Sequence, residues 1–130
     1  IATKWRALGI DGVVCPAHVM PALGQGKTAP LSVACSYTAA WNVLNYPAGV
    51  VPVTRQTAAD EEALEREYIV REPMYTGLIK EASKGGVGLP IGVQCVTLPW
   101  ADEQCLHIMG EVERAVGAGF FEPQPPPQSQ

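Results

Sequence analysis

Two apolar runs broken by proline and glycine constrain this fold more than any other feature of the chain. They are Asn42-Val43-Leu44-Asn45-Tyr46-Pro47-Ala48-Gly49-Val50-Val51-Pro52-Val53-Thr54 and Gly88-Leu89-Pro90-Ile91-Gly92-Val93-Gln94-Cys95-Val96. A short apolar run entered through a proline or glycine turn reads as a buried strand and not as a helix. Where both faces of a strand are apolar, the strand lies inside a sheet that is covered on each side. The chain must therefore build layers, and a helical bundle is excluded.

The rest of the sequence supplies the covering elements. Residues 1–8 carry Ile1, Trp5 and Leu8 at helical spacing, with Gly9 as the stop. Ile10 to Cys15 reads as a short strand closed by Pro16. From Leu31 to Asn45 apolar residues occupy every face of a 3.6-residue helix, which predicts a helix buried on all sides, ended by Pro47 with Gly49 allowing the reversal into the next strand. Ala58 to Tyr68 is a charged, solvated helix whose Asp60, Glu61 and Glu62 sit at the positive end of its dipole. Pro73 to Ser83 is a further helical piece stopped by Gly85-Gly86, and Leu89 to Leu98 is a central strand with Pro90 at its start. Asp102 to Val116 closes the series as an amphipathic helix with Leu106, Met109, Val112 and Val116 inward.

This alternation of helix and strand is an α/β layered architecture. Three strands apolar on both faces exceed what these helices can cover, so the chain is expected to be one flank of a larger sheet. Residues 1–117 form the globular part, and 118–130, with Pro123-Gln124-Pro125-Pro126-Pro127, form a proline- and glutamine-rich tail expected to be disordered.

Composition removes several function classes. A net charge of −4, with nine Lys and Arg residues scattered along 130, leaves no basic stripe for phosphates, so nucleic acid is not an expected partner. Cys15, Cys35, Cys95 and Cys105 form no Cys-x-x-Cys pair and read as small core residues. His18 and His107 lack spaced partners, so neither a metal nor a cofactor is expected. No charge occurs from Thr28 to Thr54, yet Ser32, Ser36, Asn42, Asn45, Pro47, Gly49 and Pro52 interrupt the stretch too often for a membrane span of about 20 residues.

Candidate chemistry is sparse. Gly24-Gln25-Gly26-Lys27-Thr28 has Pro21 where a phosphate loop needs its first glycine, and Pro30 breaks the helix that should follow. Ser36 has no Gly-x-Ser-x-Gly elbow and no histidine nearby in sequence. Asp60, Glu61 and Glu62 read as a solvated helix end, not as an acid/base pair. No catalytic residue is assigned within this chain.

With Ser36-Tyr37-Thr38 before the first run, and Leu98-Pro99-Trp100 and Glu111-Val112-Glu113-Arg114 after the second, the chain resembles the C-terminal part of the amidase signature family of serine hydrolases, in its fatty acid amide hydrolase branch. The resemblance extends from about Trp5 to Arg114. It implies a mixed β-sheet enclosed by helices, and a parent enzyme that cleaves a fatty acid amide to a free fatty acid and an amine. In that family a nucleophilic Ser, a second Ser and a Lys carry the reaction. No Gly-Gly-Ser-Ser-Gly segment occurs here and Lys4, Lys27, Lys80 and Lys84 do not match the catalytic Lys, so those residues are expected upstream, in a longer protein of which this chain is a fragment.

The resemblance also implies a substrate-binding role for Ser32, Cys35, Ala39 and Tyr75, at positions that line the acyl channel in the family. Ser32, Cys35 and Ala39 share one helical stripe, where small side chains either leave room for an alkyl chain or let helices approach closely. Tyr75 stands where Trp is usual, and Asn45-Tyr46 where Asp-Phe is usual, departures that bear on acyl length and head group. By the same resemblance the parent binds a lipid amide, touches a membrane through parts outside this chain, forms a homodimer and resides intracellularly on endomembranes. The alternatives are a stand-alone, non-catalytic binding module and a fragment of a soluble amidase or amidotransferase of the same superfamily.

Overall fold

A computed structural model of the chain describes residues 1–23, 26, 28–71 and 73–117, with the backbone alone at 29, 30, 33 and 73. The proline-rich tail, and Gly24, Gln25 and Lys27 of the glycine-rich loop, lie outside the described residues.

Three strands, β1 (Val13–Pro16), β2 (Ala48–Arg55) and β3 (Pro90–Val96), form one sheet in the order β1-β3-β2. The α/β class read from the sequence stands, and within these residues both strand pairings are antiparallel, with Val14 opposite Cys95 and Val51 opposite Val93. The central place falls to β3, the strand with the most apolar faces. β2 runs along an edge and carries Pro52, whose missing N–H an edge strand tolerates. The ladder shifts register between Pro52 and Thr54, a bulge beside that proline.

Helix α5 (Asp102–Val116) covers one face of the sheet. Cys105, Ile108, Met109 and Val112, at spacings three, one and three, pack with Val51 and Cys95. A Cβ at Gly49 would overlap the Met109 thioether, so this glycine serves close approach inside β2 and not the chain reversal expected of it. Leu106, expected inward, is 65% exposed: it is one residue, about 100° of helix rotation, beyond Cys105, and Cys105 takes the inner position.

The opposite face holds an aromatic cluster. Trp5 of α1 (Ala2–Ala7) meets Tyr46 edge-on at 5.6 Å and Trp41 of α2 (Ser36–Leu44) at 6.1 Å. Val96 forms the sheet side of this cluster. Each such ring pair contributes about 0.5–1.5 kcal/mol beyond its buried area. Gly9, with φ of 64°, ends the first helical stretch as the sequence indicates.

The long buried helix expected from Leu31 to Asn45 is two pieces in the structure. A 3-10 segment spans Ala29–Cys35 with a kink at Leu31, and α2 follows from Ser36. Its end comes from Asn45 in the left-handed region at φ 55°, two residues before Pro47. No residue of α2 is buried, and Val43 is 85% exposed. An all-apolar helix is buried only when neighbours surround it, and here α2 is covered on its Trp41 and Leu44 side alone. Cys35, read as a core residue, is likewise exposed, whereas Cys95 and Cys105 are buried.

Between β2 and β3 the chain makes an excursion through α3 (Ala58–Glu67), a π-helical turn at Pro73–Gly77 and α4 (Leu78–Ser83). Thr57 caps α3: its hydroxyl accepts from the Asp60 N–H at 3.2 Å, and the Asp60 carboxylate accepts from the Thr57 N–H at 2.8 Å. The neck of the excursion is closed by the Gln56 N–H donating to Leu89 O at 3.0 Å and the Gly88 N–H donating to Gln56 O at 2.8 Å.

Candidate functional site

The residues expected to bind substrate sit on two segments that meet through a small core. Ser32 and Cys35 lie on the 3-10 segment and Ala39 in α2, with the junction between the two helical forms falling at Ser36. The Thr38 hydroxyl donates to the Cys35 carbonyl at 3.0 Å and ties that junction together. Leu31 and Ala34 of the 3-10 segment pack with Met20 and with Ile79 and Ala82 of α4. Tyr75 lies in the π-helical turn just before α4 and is 44% exposed. Ser32 and Cys35 are exposed and Ala39 is half-buried, so all four residues face wholly or partly open space in this structure.

One buried polar side chain holds this region to the sheet. Gln94, in the middle of β3, is 2% exposed, and its Nε2 donates to Tyr37 O at 2.8 Å and Pro16 O at 3.0 Å. It thereby ties the first turn of α2 to the central strand and to the end of β1. Sequence reasoning passed over it, although a lone amide amid Val93, Cys95 and Val96 is a signal, because a buried amide needs partners on the elements it faces.

A separate groove of about 690 Å³ opens between the Ala17 to Leu23 loop, α3, α4 and the start of β3. Met20, Leu64, Ile79 and Ile91 supply apolar walls, and none of Ser32, Cys35, Ala39 or Tyr75 lines it. His18, on its rim, has Nδ1 3.1 Å from the Met20 carbonyl, the contact of a histidine that shapes its own loop. Gln56 is 6% exposed and donates from Nε2 to Ser83 O at 3.3 Å, while its Oε1 has no partner among the described residues. A side chain on Gly86 would collide with that oxygen, so the glycine is what admits the amide.

Among the described residues the electrostatics show no activated nucleophile. Burial pushes the Cys95 thiol up, with Cys105 and Cys15 adding to the shift, and a thiol so placed is inert. Hydrogen bonds from Thr57 hold the Asp60 carboxyl below its usual range. Those from Lys84 and then Lys80 do the same for Glu65, and Lys84 is raised by Glu81 and then Glu65. These are features of helix ends and ion pairs, as expected for this acidic stretch. Ser36, with an exposed side chain, is the first residue of α2 and serves there as a helix residue. Among the described residues no group of His, Cys, Asp and Glu could hold a metal ion.

Comparison with known proteins gives the family. The family described as Amidase matches residues 1–106. The chain is 43% identical to a fatty-acid amide hydrolase 1 of Sus scrofa over 119 residues, 92% of this chain and 20% of that protein. It is 41% identical to a fatty acid amide hydrolase 1 of Caenorhabditis elegans over 107 residues, 82% of this chain and 18% of the relative. An amidase of Gibberella moniliformis is 32% identical over 105 residues, 81% of this chain and 16% of the relative. The chain thus spans about a fifth of the length of the curated relatives it matches. A family match over residues 1–106, carried by a layered α/β fold, makes this chain a member of the amidase family.

Proposed function

We propose that this sequence is the C-terminal part of an enzyme that hydrolyses fatty acid amides to a fatty acid and an amine. The observation that carries the reading is the identity of 43% and 41% to two fatty acid amide hydrolases across most of the chain, against 32% to the fungal amidase. In this reading the Ser-Ser-Lys chemistry lies upstream, and the present residues contribute part of the sheet and a wall of the acyl site. The small side chains of Ser32, Cys35 and Ala39 support the wall, because they leave room for methylenes worth about 0.8 kcal/mol each when buried.

The exposed apolar residues Val43, Val50 and Tyr37 support a larger body around α2, since a soluble protein seldom leaves such a surface bare. The same reading places the parent on endomembranes as a dimer, with membrane contact made elsewhere; no helix among the described residues is long and apolar enough to cross a membrane. Two assays test the proposal. The enzyme containing this sequence, joined to its upstream Ser and Lys segments, should release oleic acid from oleamide faster than acetic acid from acetamide. The 130-residue chain alone should release none. Hydrolysis by the chain alone, abolished by a substitution within it, would refute the assignment of catalysis to upstream residues. A parent enzyme preferring acetamide would refute the lipid reading.

A further inference from the structure

We infer that α3 is a detachable strap along the groove, held to the fold by charge and not by burial, and that its release opens the groove on that side. No residue of α3 is buried, so the hydrophobic effect that fixes most helices in place contributes little here. Yet Asp60 and Leu64, one turn apart, form part of the groove wall, as does Tyr68 immediately after the helix. What holds that wall in place is a set of contacts from Glu61 and Glu65, which lie four residues apart on one edge of the helix.

The Glu61 carboxylate accepts from the Gly85 N–H, just beyond α4. Glu65 pairs with Lys80 at 3.2 Å and with Lys84 at 2.9 Å. Lys80 is the pin of the set. Its side chain is only 17% exposed, and besides the ion pair it donates to the backbone carbonyl of Glu65 at 3.0 Å. That carbonyl belongs to the last turn of α3, where a cation satisfies an orphan acceptor and the negative end of the dipole together. Lys84 is shared with Glu81, so it is the weaker hold.

Contacts of this kind fade with salt, since the Debye length falls from about 10 Å at 0.1 M to 3 Å at 1 M. Burial by α5 and the aromatic cluster does not fade in this way. The strap should therefore open separately from the sheet. Amide hydrogen exchange of the full chain, read by mass spectrometry at 0.05 M and 1 M NaCl, tests this directly. Residues 60–67 are expected to exchange several-fold faster at high salt, while 91–96 in β3 hold constant. Lys80→Met is expected to raise exchange of 60–67 about tenfold at low salt, the weight of one charge-assisted hydrogen bond, and to remove most of the salt response.

The groove provides a second readout. Met20 is buried in its floor, at 9% exposure, and should be oxidised by dilute peroxide faster in step with the opening of α3. Should Lys80→Met also loosen β3, then Glu65→Gln, which alters a half-exposed side chain, decides by the same criteria. Exchange of 60–67 that ignores salt and tracks β3 in every variant would overturn the inference. So would Met20 oxidation that stays constant while α3 opens.

Discussion

Replacing Gln94 by leucine should weaken the fold through two hydrogen bonds and almost nothing else. The side chain is 2% exposed and donates to Tyr37 O and Pro16 O. Leucine nearly conserves the volume, so a cavity term is avoided, whereas alanine would add one. Two neutral hydrogen bonds contribute about 1 kcal/mol each, and each carbonyl left without a donor costs a further 1–3 kcal/mol if it stays dry. Tyr37 and Pro16 are exposed residues, so water can reach their carbonyls in part. The expected loss is therefore about 2–3 kcal/mol, at the lower end of that range. Urea unfolding followed by the fluorescence of Trp5 and Trp41 should show a lower midpoint with an unchanged slope, because the surface exposed on unfolding is the same. A glutamate at the same site gives a sharper check. Ionised, it faces two carbonyl oxygens with no proton to donate, so Gln94→Glu should be worse than Gln94→Leu at neutral pH. Burial raises that carboxyl's pKa in the folded state, so the deficit should shrink as pH falls and the acid regains a proton. A loss below about 0.5 kcal/mol for Gln94→Leu, the range of ordinary surface changes, would refute the assignment of Gln94 as the tie between α2 and the sheet.

Two further expectations follow from local geometry. Thr57→Ala should cost about 1 kcal/mol through loss of the α3 cap. Because the folded Asp60 and Glu65 carboxyls lie below their usual range, their contribution is present above the unfolded carboxylate pKa, near 4, and is lost as pH falls through the lowered folded values. The protection of α3 amides, taken relative to the intrinsic exchange rate at each pH, should thus fall on acidification below about pH 4, and unchanged protection would count against the cap and ion pairs. In the complete enzyme, Ala39→Trp should lower kcat/KM increasingly with acyl length, by up to about 0.8 kcal/mol per displaced methylene. An equal loss for short and long amides would remove Ala39 from the acyl wall.

The element order was legible in the sequence because each element carries its own punctuation. Gly9, Gly85 and Pro90 stop or start elements where the sequence placed them. Periodicity also identified β3 as central, since Gln94, Cys95 and Val96 are all buried regardless of the face they occupy. What failed was orientation on helices. Leu106 and Cys105 are adjacent, both apolar, and the choice of inner residue depends on the space left by Gly49 and filled by Met109, a contact 60 residues away in the chain. The Thr57 cap is written in the sequence as Thr57 with Asp60 three residues on, a signal overlain by the acidic run that Asp60 begins. The groove was illegible for a different reason: its walls come from the 17–23 loop, α3, α4 and β3, and no local pattern records their meeting.

The misreading of α2 is more instructive than the successes. The sequence signal, apolar residues on every face, was sound, and the structure leaves Val43 at 85% exposure and Trp100, beyond β3, at 90%. A sequence records the environment in which it was selected, while this chain's own residues supply only some of those neighbours. Where the two disagree on an apolar helix, the disagreement itself locates a surface meant to be covered. On this chain that surface runs along α2, next to Ser32, Cys35 and Ala39, while the α5 side of the sheet is already covered by Cys105, Ile108 and Met109. The relatives carry about four-fifths of their length outside the match. Under the proposed acyl wall, part of that length would cover the open face of α2.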